Sequence, residues 1–290
     1  MAIAPAVAPP GVLPGKHPPD VVLDQVVKRF PRPDGGDYVV LAGIDLRVDG
    51  GTFCSIVGPS GCGKTTILRL VAGLTRADGG RVLVAGQAVT RVNPRVGFLF
   101  QQDALLPWRT VHDNVALGLR LRGTPKDEVK ERVHHWLRVV GLAGFERHYP
   151  AQLSGGMRKR AAIAQTLICE PEIILMDEPF THLDAQARLF MEEDLLDLFV
   201  DGKRTILFVT HDLDEAIALS DVVVVMSAGP ASTIRARQRI EFRRPRDLLG
   251  VRRDPGFGEL SAALWRQLHE EVARVYGRAA RDRVRSDQQV

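Results

Sequence analysis

The chain has 290 residues, 45% hydrophobic and 26% charged, with a net charge of +4. This composition excludes a disordered chain, and the length provides for one large domain or two ordinary ones. The longest apolar runs, Ile173–Met176 and Val222–Met226, fall far short of the roughly 18 residues that a membrane span needs, and Cys54, Cys62 and Cys169 lack the CxxC spacing of a zinc site or the pairing of a disulfide framework.

Residues 1–19 are interrupted repeatedly by proline and lack both a basic leader and an unbroken apolar stretch. They read as a flexible arm and not as a signal peptide. Strand signals follow at Val21–Val27, at Val39–Val48 and at the buried run Thr52–Val57. The third ends in Gly58-Pro59-Ser60-Gly61-Cys62-Gly63, and Lys64–Ala72 then reads as a helix stopped by Gly73.

Gly58–Thr65 matches G-x-x-x-x-G-K-[ST] between a buried strand and a helix. Backbone N–H groups of Gly58, Ser60, Gly61, Cys62, Gly63 and the helix start, with Pro59 shaping the loop and Thr66 behind them, are expected to cradle a nucleotide triphosphate. Lys64 is expected to reach the β- and γ-phosphates and Thr65 to ligate Mg²⁺. Cys62, beside Lys64 and a helix N-terminus, is expected to have a depressed thiol pKa.

Further strands are expected at Arg81–Ala85 and Arg95–Phe100. From 103 to 166 the pattern turns helical, with Thr124 as N-cap of a helix running to Gly141. Leu153-Ser154-Gly155-Gly156-Met157 opens another helix and reads as a second anion cradle, explained most simply if Ser154, Gly155 and Gly156 serve a nucleotide held by another copy. Ile173–Met176 is an apolar strand ending in Asp177 and Glu178, a pair suited to holding Mg²⁺ and polarising the attacking water respectively. Strands Thr205–Thr210 and Asp221–Ser227 alternate with helices Ala185–Val200 and Asp212–Leu219, where Asp212 and Glu215 have capping-box spacing. The alternation predicts an α/β fold, a mostly parallel sheet flanked by helices with an inserted α-helical subdomain.

The phosphate loop, Gln101, Leu-Ser-Gly-Gly, Asp177-Glu178, Leu183-Asp184 and His211 occur in the order found in ATP-binding subunits of ABC transporters, and the chain resembles that family over residues 20–230. The resemblance implies a P-loop ATPase with an antiparallel β N-terminal part, and two copies packed head to tail around two ATP molecules. It implies that Gln101 joins the metal site to the helical subdomain, that His211 contacts the γ-phosphate, that Asp184 lies at the dimer interface, and that Phe30 or else Tyr38 stacks on adenine. His182 stands where a small residue is usual. Lys159 replaces a frequent glutamine and reads as an exposed, tolerated change.

Phe100–Trp108, with its Leu-Pro-Trp, looks similar to the branch importing nitrate, sulfonates and taurine, as do Arg244–Asp247 and Leu264-Trp265. The implied function is ATP-driven import of a small anion through membrane permease subunits fed by a solute-binding protein, at the cytoplasmic face of the membrane. Trp108 is either an apolar anchor of the subdomain or part of the surface that receives the permease. The competing class is an ABC ATPase acting on nucleic acid or the ribosome; it usually carries long coiled-coil insertions, a CxxC hook or tandem ATPase domains, and none occurs here.

The charge is uneven. Residues 231–290 hold fourteen arginines, no lysine and eight acids, for +6, whereas the other 230 residues sum to −2. The pI of 9.1 therefore reports a C-terminal extension and not a nucleic-acid-binding body. Within it Glu259–Ala273 reads as an amphipathic helix with Leu260, Leu264, Leu268 and Val272 along one stripe. Its arginines read as a solvated face, with docking on the ATPase body or contact with an anionic leaflet as alternatives.

Overall fold

The computed structural model describes residues 18–287 except 34, 182, 200 and 201, and omits the side chains of 198 and 275–287. The expected arm up to residue 17 and His182, of the expected interface loop, lie outside the described residues. Pro18 and Pro19 do not belong to an arm. The Pro19 carbonyl accepts from Thr205 Oγ1 at 2.7 Å, and Pro18 packs so closely on Gly50 that a Cβ there would lie 1.8 Å from its carbonyl oxygen.

Two sheets organise the described residues. The first has the order β2 (Asp37–Val48), β1 (Val21–Pro31), β4 (Gly79–Val84), β5 (Gln87–Ala88), all antiparallel. The second runs β10 (Ile234–Arg239), β9 (Val222–Met226), β3 (Phe53–Val57), β8 (Thr205–Val209), β7 (Ile173–Asp177), β6 (Val96–Leu99), and is parallel except at β10. Strands β3, β7, β8 and β9 are buried throughout. Alternate side chains enter two cores. Ile174, Met176, Phe208 and Val225 face one, and Ile173, Leu175, Leu207 and Val224 face the other. This is why these strands read as continuous apolar runs.

The second core packs under α1 (Lys64–Val71) and the antiparallel sheet. The first takes in the helical block of α2 (Val111–Val115), α3 (Leu117–Leu121), α4 (Lys126–Val139) and α5 (Gly155–Leu167), together with α6 (Ala185–Phe199) and α7 (Leu213–Leu219). α4 begins after an extended Pro125, so Thr124 is not its cap. It ends before Gly141, whose φ of 68° suits a glycine stop.

Asp212 caps α7 through the N–H groups of Asp214 and Glu215. The reciprocal half of the expected capping box is not made, because the Glu215 carboxylate turns inward and accepts from Thr210 Oγ1 at 2.6 Å.

The sheet continues through β10, past the boundary at 230 that composition suggests. Beyond it, α8 (Leu248–Arg253) and α9 (Pro255–Asp287) lie on the body, with Phe257, Leu264 and Leu268 buried in the first core. The described arginines of this extension do not form a purely solvated face. Arg244 and Arg246 pair with Asp221, Arg252 with Glu192, and Arg235 and Arg274 with Glu271. Much of the basic excess answers buried or half-buried carboxylates. Among the described residues no helix is long and apolar enough to cross a membrane.

Candidate active site

Four neighbouring parallel strands end on the same edge, and each delivers one part of the site. β3 leads into the phosphate loop, β8 into Thr210 and His211, β7 into Asp177 and Glu178, and β6 into Phe100 and Gln101. This carboxyl edge is where open α/β sheets bind ligands.

The loop is shaped by glycine where side chains have no room. Gly63 sits at φ 97° directly before α1, and a Cβ there would come within 2.6 Å of Leu41 Cδ2. Lys64 is buried, and its Nζ donates to the carbonyls of Gly58 at 2.8 Å and Pro59 at 3.1 Å, spanning the loop. Thr65 Oγ1 donates to Asp177 Oδ1 at 2.9 Å. Burial raises the Asp177 pKa above the usual carboxylate range, with Glu178 adding to the shift and Thr65 opposing it. Ser60 and Gly61 are exposed at the crown, and Thr66 follows in the first turn of α1.

Cys62 does not behave as its position suggested. It is fully buried, its sulfur lies 4.0 Å from Met226 Sδ, and desolvation pushes its pKa up against the opposing pull of Lys64. Proximity to a cation does not outweigh loss of water around a thiolate.

Glu178 lies just past the end of β7 at φ 46°, a left-handed conformation rare for a residue with a side chain. Its N–H is held by the Val209 carbonyl at 2.9 Å. Oε2 is approached by Gln101 Nε2 at 3.3 Å, Thr181 Oγ1 at 3.3 Å and His211 Nδ1 at 3.5 Å. Gln101 and His211 are both exposed, so this carboxylate faces open space with a ring of polar groups around it. Thr181 was absent from the sequence-based candidates; its place three residues after Glu178, in a tight turn, was the only available signal.

Ser154 Oγ caps α5 by accepting from Met157 N–H at 3.3 Å, while Gly155 and Gly156 leave the helix start free of side chains. Asp184 caps α6 through the N–H groups of Gln186 and Ala187, and remains exposed. Phe30 pairs in register with Tyr38 across β1 and β2. Phe30 is exposed and carries the Lys28 ammonium 5.2 Å from its ring centre, whereas Tyr38 is half-buried under Arg32. Of the two rings, Phe30 is the more exposed.

Lys159 also departs from expectation. It is 4% exposed, and its Nζ lies 3.1 Å from the Gln101 carbonyl oxygen and 3.1 Å from Asp103 Oδ1. The signal was present in the sequence, because Lys159 continues the i, i+4, i+8 stripe of Ile163 and Leu167.

Comparison with known proteins identifies the family. The family described as "ABC transporter" matches residues 41–181. The chain is 49% identical over 218 residues to an uncharacterised ABC transporter ATP-binding protein of Methanocaldococcus jannaschii, covering 75% of this chain and 81% of that protein. It is 44% identical over 211 residues to the aliphatic sulfonates import ATP-binding protein SsuB of Bacillus thuringiensis, covering 72% and 82%. A solved dimeric structure of an ATP-binding cassette in a post-hydrolysis state, bound to ADP and Pi, superposes with a TM-score of 0.69 at 28% identity, covering 77% of this chain and all of that one. With its phosphate loop, paired acids and capped signature helix, the chain belongs to the ABC transporter ATP-binding proteins and is an ATP hydrolase.

Proposed function

We propose that the chain powers import of a small anionic solute, such as an aliphatic sulfonate, taurine or nitrate, through membrane permease subunits. The observation that carries the catalytic part is the convergence of Gln101, Thr181 and His211 on one carboxylate oxygen of Glu178. A carboxylate held this way, at the mouth of a phosphate loop, is placed to take a proton from the water that attacks the γ-phosphate. Lys64 supplies positive charge to the β- and γ-phosphates, and His211 adds a hydrogen bond to the γ-phosphate as charge develops there. Phe30 receives the adenine.

Thr65 and Asp177 suit Mg²⁺. A hydroxyl and a carboxylate 2.9 Å apart are hard oxygen donors, and burial leaves Asp177 with a charge that a cation would compensate. Bound there, Mg²⁺ would neutralise charge on the β- and γ-phosphates; Gln101 would approach it from the Glu178 side.

The open start of α5 has no side chain to occupy it, which fits a role toward the nucleotide of a second copy, packed head to tail. Asp184 would lie at that interface. The named function of the Bacillus relative supports import of a sulfonate-like anion, and exposed Trp108, 71% accessible, supports a surface that receives a permease segment at the cytoplasmic face of the membrane. A solute-binding protein would be an indirect partner, and no nucleic acid is expected.

The test is ATPase activity of the chain assembled with its permease in proteoliposomes. Taurine, ethanesulfonate and nitrate are presented in turn on the cognate binding protein. Stimulation by one of them is expected, with Glu178→Gln binding ATP, failing to turn it over and accumulating as a dimer. Stimulation by DNA or RNA instead, sensitive to salt, would establish the competing class.

A further inference from the structure

The helix that follows the signature carries a charge where its buried face should be apolar. Lys159 lies on one stripe of α5 with Ile163 and Leu167 and is buried as they are. Lysine is almost never buried unless its three donors find acceptors. The acceptors here are the carbonyl oxygens of Phe100 at 3.4 Å and Gln101 at 3.1 Å, with Asp103 Oδ1 at 3.1 Å completing an ion pair. All three belong to the short turn that leaves β6. The neighbouring Arg158 holds the same turn from the same helix, its Nε 3.4 Å from Asp103 Oδ2. Gln101 and Gln102 are themselves exposed, so the turn is gripped from the side of α5.

We propose that Lys159 is a positioning residue for Gln101. The ammonium fixes the Phe100 and Gln101 carbonyls and so sets the approach of Gln101 Nε2 to Glu178. Asp103 faces the ammonium at ion-pair distance and offsets its charge between the helix and the turn. Lys159 is five residues beyond Ser154, on the same rigid helix. Movement of the signature end therefore carries the Gln101 turn with it, and an event at a second copy's nucleotide reaches the carboxylate of this chain's own site. The inference rests on the hydrolytic roles given above to Gln101 and Glu178.

The experiment uses the full chain and the variants Lys159→Met, Lys159→Gln, Gln101→Ala and Lys159→Met with Gln101→Ala. Methionine fills the volume on an apolar stripe without a donor, and glutamine keeps a donor for the Gln101 carbonyl. Lys159→Met is expected to lower kcat about tenfold while the chain stays folded and ATP affinity stays near wild type. Lys159→Gln should recover most of that rate, and adding Lys159→Met to Gln101→Ala should cost no further activity. Amide hydrogen exchange should rise in the 100–106 segment of Lys159→Met, a readout that needs no turnover. A folded Lys159→Met with wild-type kcat, full additivity with Gln101→Ala, or unchanged exchange in that segment overturns the proposal. Absence of ATPase activity in the wild-type chain would instead overturn the assignment of the site itself.

Discussion

Thr65 and Asp177 stand 112 residues apart in the chain and meet at the carboxyl edge of the sheet, the hydroxyl donating to the carboxylate across 2.9 Å. β8 lies between β3, which leads into the loop and helix carrying Thr65, and β7, which ends in Asp177, so the pairing depends on the parallel order of β3, β8 and β7 and on nothing local. Asp177 is 6% exposed, and burial keeps its pKa raised. The fold thus holds a carboxylate where its charge is disfavoured, at the place proposed for the cation.

Asp177→Asn tests this directly. The asparagine carbonyl can still accept from Thr65, so the fold is retained, and loss of a disfavoured charge should raise the melting temperature of the ligand-free protein. Binding of ATP in the presence of Mg²⁺ should weaken by about ten- to a hundredfold, whereas binding in EDTA should change little. Calorimetric titration with and without the metal separates the two. Equal losses in both conditions would show that Asp177 acts on the nucleotide or the fold and not through the cation.

A second carboxylate carries a pH dependence. Glu215 on α7 is 5% exposed, and burial raises its pKa to about 7, opposed by the Thr210 hydrogen bond and reinforced by Asp212 and Glu192. Arg188 approaches its other oxygen at 3.6 Å and partly compensates. The folded pKa lies above the unfolded value, so the folded state retains a proton that the unfolded chain gives up. This contribution to stability is complete below pH about 4.5, falls as pH rises toward about 7, and is absent above it. The span corresponds to a change on the order of 3 kcal/mol. Glu215→Gln should flatten the loss of stability between about pH 5 and pH 7 and be the more stable form at about pH 8, read from urea unfolding. An unchanged slope in the variant would assign the pH dependence to other groups.

The sequence made contiguous features legible and left distant ones hidden. The phosphate loop, the Asp177-Glu178 strand end and the Ser154 cap are each written within a few residues, and their roles follow from spacing and the flanking apolar runs. A mostly parallel sheet covered by helices could be expected from alternating strands and helices. Glu178's left-handed backbone could not, because it depends on the Val209 carbonyl 31 positions away. Glu215 had the spacing of a capping-box acid, yet the buried Thr210 hydroxyl outcompetes an exposed helix end for it. Cys62 looked activated because sequence records a neighbouring lysine but not the desolvation that opposes it. The extension's arginines looked solvated because their carboxylate partners, Asp221 and Glu192, lie on other elements.

That extension provides the last prediction. Arg252 on α8 donates to Glu192 on α6 at 2.7 Å, and Glu192 is fully buried, its pKa raised by desolvation and held down mainly by Arg252. Removing the cation leaves a buried acid without its compensating partner. Arg252→Met should therefore destabilise the chain by about 3 kcal/mol at neutral pH. The loss should shrink as pH falls, since Glu192 then takes up a proton and no longer needs a cation. Pairing Arg252→Met with Glu192→Leu should return most of the stability, because two apolar side chains can replace a buried ion pair. Denaturant unfolding of the wild type, both single variants and the double variant completes the cycle. If Arg252→Met is as stable as wild type at every pH, the contact is incidental; if the double variant is no better than the single, the cost lies in packing of α8 and not in the stranded charge of Glu192.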